Sequence, residues 1–246
     1  MRKSYRELTE EIKTDGERLK LIAALGSSDD LAYHYTLISE DWAAGGKLLL
    51  ENSFDRHGEA GIVFLLERLR ALGTASKTDE SAAAGTATDT AYLAAKILSQ
   101  LRHRDFYAAR AKELAALLTA RWEISDIALR RKQIIALGWI GSESEINLLI
   151  DSMQSDSDAL CRAWAAAALM QLSFHGVAAD VLRERTKNAF AAAIQKEGDL
   201  NAAGIMIEAA QTLFGKKWIS AAAAEAAESE SIEKARKSAL RFLGKA

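Results

Sequence analysis

An eight-residue frame that recurs along the chain constrains the fold more than any other feature. Arginine opens the frame, and alanine and leucine occupy its seventh and eighth positions. The frame occurs at residues 18–25, 110–117, 130–137 and 162–169, and the last two copies are 32 residues apart. A repeat of this period is typical of stacked helix pairs, because one pair cannot bury its apolar face without a neighbour.

The residues between the frames also follow a helical pattern. Apolar residues return every three or four positions, the period of an amphipathic helix, and strict alternation is rare. Alanine accounts for 48 of the 246 residues and proline for none, a composition that favours helices over sheets. Short turns at glycines and Ser/Asp clusters divide the chain into about twelve helices and place neighbours antiparallel.

These patterns predict an all-α fold, a right-handed α-solenoid of about five to six antiparallel helix pairs. We expect a single domain over residues 1–246. One segment departs from the pattern: residues 74–88 are small and polar and show no apolar period. We predict a mobile loop there, although fifteen residues is long for a connection inside a compact domain.

The turn before the last frame carries the motif that suggests a family. Asp156, Asp158 and Arg162 form a D-x-D turn that leads into a helix start, and Ala-Leu-Gly ends the preceding helix at residues 136–138. Residues 125–172 thereby resemble HEAT repeats, particularly the short variety found in phycobilisome-lyase-like proteins. The resemblance implies a solenoid that serves as a scaffold or adaptor for another protein, with a chromophore-lyase-like activity as an alternative. In this pattern Asp156, Asp158 and Arg162 are structural residues of the repeat turn.

Composition and charge exclude several classes of function. The formal net charge is −2, which does not favour binding to nucleic acid or to an anionic membrane. The first residues contain no apolar signal segment, and no apolar run approaches the length of a membrane span. A single cysteine, Cys161, excludes an internal disulfide and suits a reducing compartment. We expect a soluble cytoplasmic protein.

Charge is unevenly distributed along the repeats. Residues 96–132 carry nine Lys/Arg and four Asp/Glu, whereas residues 141–161 carry five acids and no base. We predict one basic and one acidic rim, which would steer a charged partner protein. The candidate partner-binding residues are the tryptophans Trp139 and Trp164, the bases Arg130 and Arg131, and the acids Glu143, Glu145 and Asp151.

Motifs for catalysis and cofactor binding are missing from the sequence. It contains no phosphate-binding glycine loop, no nucleophile elbow and no metal-binding spacing of histidine and cysteine. We therefore predict no cofactor and no metal. The four histidines are expected at helix ends or on the surface, and Cys161 is expected to be a small buried hydrophobic residue.

One set of residues leaves an enzymatic alternative open. Trp122, Asp126 and Arg162 are similar to the aromatic and acidic residues of HEAT-like alkylpurine DNA glycosylases, in which a carboxylate stabilises developing positive charge. Asp126 is equally well interpreted as the N-cap of the next helix. Our leading hypothesis is a non-enzymatic protein-binding scaffold. Neutralisation of a cognate toxin, as by an immunity protein, is one use that would suit the acidic rim.

Overall fold

The computed structural model describes residues 2–74 and 80–244, and every regular element within these ranges is a helix. The predicted all-α class is therefore confirmed. The chain divides into two compact units, residues 1–110 and 111–246. The single domain over residues 1–246 stays a prediction.

The first unit contains short and medium helices, many of them opened by a capping side chain. Its elements are α1 (Tyr5–Glu11), α2 (Asp15–Gly26), α3 (Leu31–Ala43), the 3₁₀ helix η1 (Leu50–His57), α4 (Gly58–Thr74), α5 (Glu80–Gln100) and the first residues of α6 (Tyr107–Thr119). Ser4 and Thr14 open α1 and α2 with complete capping boxes. Within this unit η1 packs against α2, α3 and α4.

The structure differs from the sequence analysis between residues 74 and 88. Residues 80–88, assigned to a mobile loop, form the first turns of α5, and residues 75–79 lie outside the described part of the chain. Alanine has the highest helix propensity, and the segment is rich in it. Ala87 and Thr88 are buried, so small side chains here pack into the core although they show no apolar period.

The second unit consists of alternating helices of similar length. After the end of α6 its elements are α7 (Ile127–Ile140), the 3₁₀ helix η2 (Glu143–Glu145), α8 (Ile146–Ser155), α9 (Ala159–Leu172), α10 (Ala179–Lys196), α11 (Leu200–Leu213), α12 (Ala221–Glu225) and α13 (Ser229–Leu243). In one layer α9 lies between α7 and α11, and α8 and α10 pack behind them. This stacking of helix pairs is the architecture of an α-solenoid, as predicted.

The repeated frame explains how closely the helices of this layer approach. Ala136 and Leu137 on α7, like Ala168 and Leu169 on α9, are buried. A Cβ atom placed on Gly138 would lie 2.7 Å from the Cα atom of Ala168. The small residues of the frame therefore let α7 and α9 pack with their backbones almost in contact, while the leucines fill the space beside them.

Candidate functional site

The three helices of this layer begin in the same way. Asp126, Asp158 and Asp199 are the N-caps of α7, α9 and α11, and each carboxylate accepts a hydrogen bond from the amide three residues later. Such a bond satisfies one of the backbone donors left open at a helix start. The three capping aspartates therefore define equivalent positions in successive repeats.

An arginine four residues after the first of these caps joins two repeats. Arg130 donates from Nε and Nη2 to the two carboxylate oxygens of Asp156, at 2.8 and 2.9 Å, and from Nη1 to the carbonyl oxygen of Ile124 at 2.8 Å. Ile124 precedes its own repeat's cap by two residues, and Asp156 precedes the next repeat's cap by two. The guanidinium therefore fastens α7 to the turn that starts α9.

Arg162 makes the same set of bonds one repeat further on. It donates from Nε and Nη2 to the carboxylate oxygens of Glu197, at 2.7 and 2.9 Å, and from Nη1 to the carbonyl oxygen of Asp156 at 2.8 Å. The Glu197 side chain is only 2% exposed. Burial raises the pKa of Glu197, but the hydrogen bonds from Arg162 and from the amide of Asp199 outweigh it and hold the pKa below its usual value.

The two rims predicted from the charge distribution neutralise each other at this edge. Besides the pair of Arg130 and Asp156, Arg131 donates two hydrogen bonds to the carboxylate of Asp158, at 2.9 and 2.8 Å. These bonds from Arg131 hold the pKa of Asp158 well below its usual range. Arg130 and Arg131, predicted to contact a partner, are thus bound to the acids of the next repeat, because the 32-residue period brings the two segments side by side.

The side of the layer that faces away from α8 and α10 forms an open face. Residues six, nine and thirteen positions after each capping aspartate are all at least partly exposed, although most of their neighbours are buried. We define the open face by these nine residues: Lys132, Ile135 and Trp139 on α7; Trp164, Ala167 and Gln171 on α9; and Ile205, Glu208 and Thr212 on α11. Trp139 and Trp164, two of the predicted partner-binding residues, therefore lie on the same face.

Comparison with known proteins identifies the repeat. A family model of HEAT repeats matches residues 80–170. Residues 80–170 contain HEAT repeats. No curated protein and no solved structure shows significant similarity to it. The capping aspartate and the paired carboxylate extend the HEAT pattern beyond the matched residues to α11, since Glu197 and Asp199 repeat the geometry of Asp156 and Asp158.

The predicted acidic residues lie elsewhere in the HEAT unit. Glu143 and Glu145 belong to η2 and Asp151 to α8, whereas the two tryptophans lie on α7 and α9. Glu145 accepts hydrogen bonds from the amide and hydroxyl groups of Ser142 in a capping box. The predicted partner-binding residues therefore divide into an aromatic pair on the open face, an arginine pair at its edge and an acidic group on the second layer.

The residues of the glycosylase alternative have structural partners in the HEAT repeats. Asp126 caps α7, and all three donor nitrogens of the Arg162 guanidinium bond to Glu197 and Asp156. Burial raises the pKa of the Cys161 thiol to about 11, so this buried group stays protonated at neutral pH. Asp126 accepts at Oδ1 from the amide of Leu129, and Arg162 uses all three guanidinium nitrogens within the fold.

Sequence reasoning missed Glu197 and two histidines. A signal for Glu197 was present, because Glu-x-Asp at residues 197–199 copies the Asp-x-Asp of residues 156–158. His34, expected at a helix end or on the surface, is instead fully buried, and its Nδ1 atom lies 2.9 Å from Nε2 of His57. No local sequence pattern predicts that these two histidines meet, because they are 23 residues apart.

Residues 2–74 and 80–244 contain no helix with the length and apolar character needed to traverse a lipid bilayer. Over the same ranges no three His, Cys, Asp or Glu side chains are grouped so that they could hold a metal ion.

Proposed function

We propose that this protein binds another protein through the open face of its HEAT repeats. The observation that carries the proposal is that Trp139 and Trp164 both lie on that face and are partly exposed. Most other residues in the middle of α7 and α9 are buried. Ile135 and Ile205 extend the apolar surface on either side of Trp164. Tryptophans of this kind are typical binding anchors, because they bury a large area and lose few rotamers on binding.

The repeat architecture supports a scaffold role. Stacked helix pairs present an extended surface to which each repeat contributes equivalent positions, and such surfaces commonly bind other proteins. The arginine–carboxylate pairs also support a scaffold role. They hold α7, α9 and α11 in register, so that the open face is preorganised in the unbound protein. A preorganised surface loses less conformational entropy on binding.

Toxin neutralisation is the finer form of this proposal. Glu143 and Asp151 are exposed on η2 and α8, and acidic side chains there would accelerate the approach of a basic partner. An immunity-type role then predicts that the partner is an enzyme whose activity is blocked at one equivalent of this protein.

The test compares a variant of the open face with a variant of the acidic surface formed by η2 and α8. Partners captured by the wild-type chain are identified by quantitative mass spectrometry, and the Kd of each purified pair is then measured by calorimetry. We expect Trp164→Ala to raise the Kd at least tenfold, which corresponds to about 1.4 kcal/mol. Asp151→Ala, on the second layer, is the matched control and should change the Kd less than twofold. Both variants should melt at the wild-type temperature.

Two results would contradict the proposal. An unchanged Kd for the folded Trp164→Ala variant would remove the open face from the interaction. A Kd raised by Glu143→Lys and Asp151→Lys together with an unchanged Kd for Trp164→Ala would assign binding to the acidic surface of η2 and α8.

A further inference from the structure

The 3₁₀ helix η1 of the first unit depends on its neighbours to keep its shape. It is eight residues long, whereas 3₁₀ helices of more than three or four residues are uncommon because their hydrogen bonds are poorly aligned. It starts after Leu49, a non-glycine residue in the left-handed region with φ 54°, and ends at Gly58 with φ 56°. A segment with this geometry persists only where surrounding contacts hold it.

His34 on α3 makes contacts at both ends of η1. Its Nε2 atom lies 3.0 Å from the carbonyl oxygen of Leu50, and its Nδ1 atom lies 2.9 Å from Nε2 of His57. Its ring packs against Phe54 in the middle of η1, with the ring centroids 5.0 Å apart. One buried imidazole thus fixes the first, middle and last turns of the segment.

The bonding partners determine which nitrogen atoms carry protons. A carbonyl oxygen can only accept, so Nε2 of His34 carries the proton in its bond to Leu50. In neutral His34 the Nδ1 atom is therefore bare and accepts from the Nε2–H group of His57. A proton added to His57 leaves this donor in place. When His57 is already charged, a proton added to Nδ1 of His34 brings two N–H groups face to face.

Few charges act on the buried member of the pair. Asp55 on η1 and Asp29 before α3 favour a charged His57, whereas the charge that acts on His34, among the residues the structure describes, is that of His57, which opposes its protonation. Other charged residues close to η1 include Asp41 on α3, which accepts from the amides of Leu48 and Leu50; Glu51 on η1, paired with Lys96 of α5; and Arg56 on η1, beside Gly26 of α2. Arg18 on α2 donates to the carbonyl oxygen of Leu48, Arg68 on α4 lies over the ring of Tyr35, and Glu59 on α4 is exposed.

We propose that His34 and His57 form an acid-released latch, in which protonation of His34 beside a charged His57 breaks their bond and frees η1 from α3. No carboxylate among the described residues acts on His34 in the closed state, so burial and the charge of His57 both disfavour a cation there. Acid therefore favours a conformation of the first unit in which η1 has moved away and the two imidazoles are hydrated.

The direction of the pH dependence follows from burial. Burial lowers the pKa of His34 to about 4, and the unfolded chain titrates near 6.5. Between these values the open or unfolded chain binds more protons than the closed one, so the closed state loses stability as the pH falls. The latch is fully closed above about pH 6.5 and opens as the pH approaches 4.

Hydrogen exchange on the full-length protein tests the latch. The protection of amides 50–57 is measured between pH 7.5 and 4.5, corrected for intrinsic exchange, in the wild type, His57→Gln and His103→Gln. A glutamine at position 57 can donate to neutral His34 and, after rotation of its amide, accept from the protonated ring. His103 is exposed and provides the matched control.

We expect at least a tenfold loss of protection in amides 50–57 of the wild type and of His103→Gln, and a clearly smaller loss in His57→Gln. Amides of α9 should keep their protection in all three. Equal losses in the wild type and His57→Gln, or full protection of amides 50–57 at pH 4.5, would overturn the proposal. If His57→Gln does not fold, NMR titration of wild-type His34 decides: a midpoint shared with the η1 amides supports the latch, and an ordinary midpoint near 6.5 refutes it.

Discussion

At the scale of single residues, the HEAT unit is organised by one guanidinium position in each repeat. Arg130 and Arg162 each satisfy a carbonyl of their own turn and both oxygens of the next repeat's carboxylate. Two parallel charge-assisted bonds constrain distance and orientation together. Each arginine–carboxylate pair therefore attracts two neighbouring repeats to each other and also fixes their relative register.

Removing one such arginine leaves a buried carboxylate without its partner. We expect Arg162→Ala to lower the free energy of unfolding by about 2 kcal/mol, because an unsatisfied buried group costs more than the bond itself contributes. In a chain of this size that lowers the melting temperature by about 4–8 °C, measured by calorimetry. Glu197→Gln in the Arg162→Ala background should recover part of the loss, because a neutral amide is easier to bury.

Arg6→Ala is the control for this prediction. Arg6 pairs with Glu10 on α1, but its side chain is 88% exposed, and surface pairs of this kind contribute little. Equal melting temperatures for Arg6→Ala and Arg162→Ala would mean that the pair with Glu197 is not structural.

At the scale of helices, small residues decide how the layer packs. A single small residue in a helix does not indicate how that helix packs. The alanine of the frame, however, recurs in successive repeats on the side of the helix that faces the neighbouring repeat. Gly138 lies against Ala168. The leucines of the frame fill the space beside this close contact. The spacing between α7 and α9, and with it the width of the open face, depends on this contact.

Gly138→Ala should destabilise the protein although alanine favours helices. The added methyl group would sit 2.7 Å from the Cα atom of Ala168, and overpacking of this kind costs about 1–3 kcal/mol. That exceeds the gain of about 0.5–1 kcal/mol expected from replacing glycine in a helix. Denaturant unfolding measures the balance. Gly198→Ala, where nothing lies within 4 Å of the new methyl group, should be close to neutral; if it were as harmful, tight packing would not be the cause.

At the scale of the whole molecule, the basic and acidic segments balance along the chain. The net charge is −2, and at the edge of the HEAT layer the bases of one repeat pair with the acids of the next. Arg130 and Arg131 are thereby paired with Asp156 and Asp158 and are not available to a phosphate backbone. A preference for a protein partner over a nucleic acid stays a prediction.

This balance predicts weak binding to DNA. Gel-shift titrations with plain and alkylated duplexes should show no salt-sensitive complex at physiological ionic strength, because few phosphate contacts mean little counterion release. No base should be released from the alkylated duplex, by the wild type or by Asp126→Asn. Tight, salt-sensitive binding with base release that Asp126→Asn abolishes would instead establish the glycosylase alternative.

The amino-acid sequence by itself determined the helices and how they begin. Periodicity, capping residues and alanine content act within a few positions of the chain, so α7 and α9, the capping box of Ser142 and the repeated frame could all be predicted. Even the partner of Arg162 was within reach, because the Glu-x-Asp at residues 197–199 copies the turn of the previous repeat. Residues 80–88 were misassigned because they show no apolar period, although the segment is rich in alanine, which favours a helix.

Only the tertiary structure decided which side chains meet. His34 and His57 are 23 residues apart, and nothing local distinguishes them from the other histidines of the chain. Whether Arg130 contacts a partner protein or Asp156, and whether Trp139 and Trp164 share a face, depends on how successive helices stack. Stacking is a property of surfaces brought together from distant positions, because burial and pairing act through space rather than along the chain.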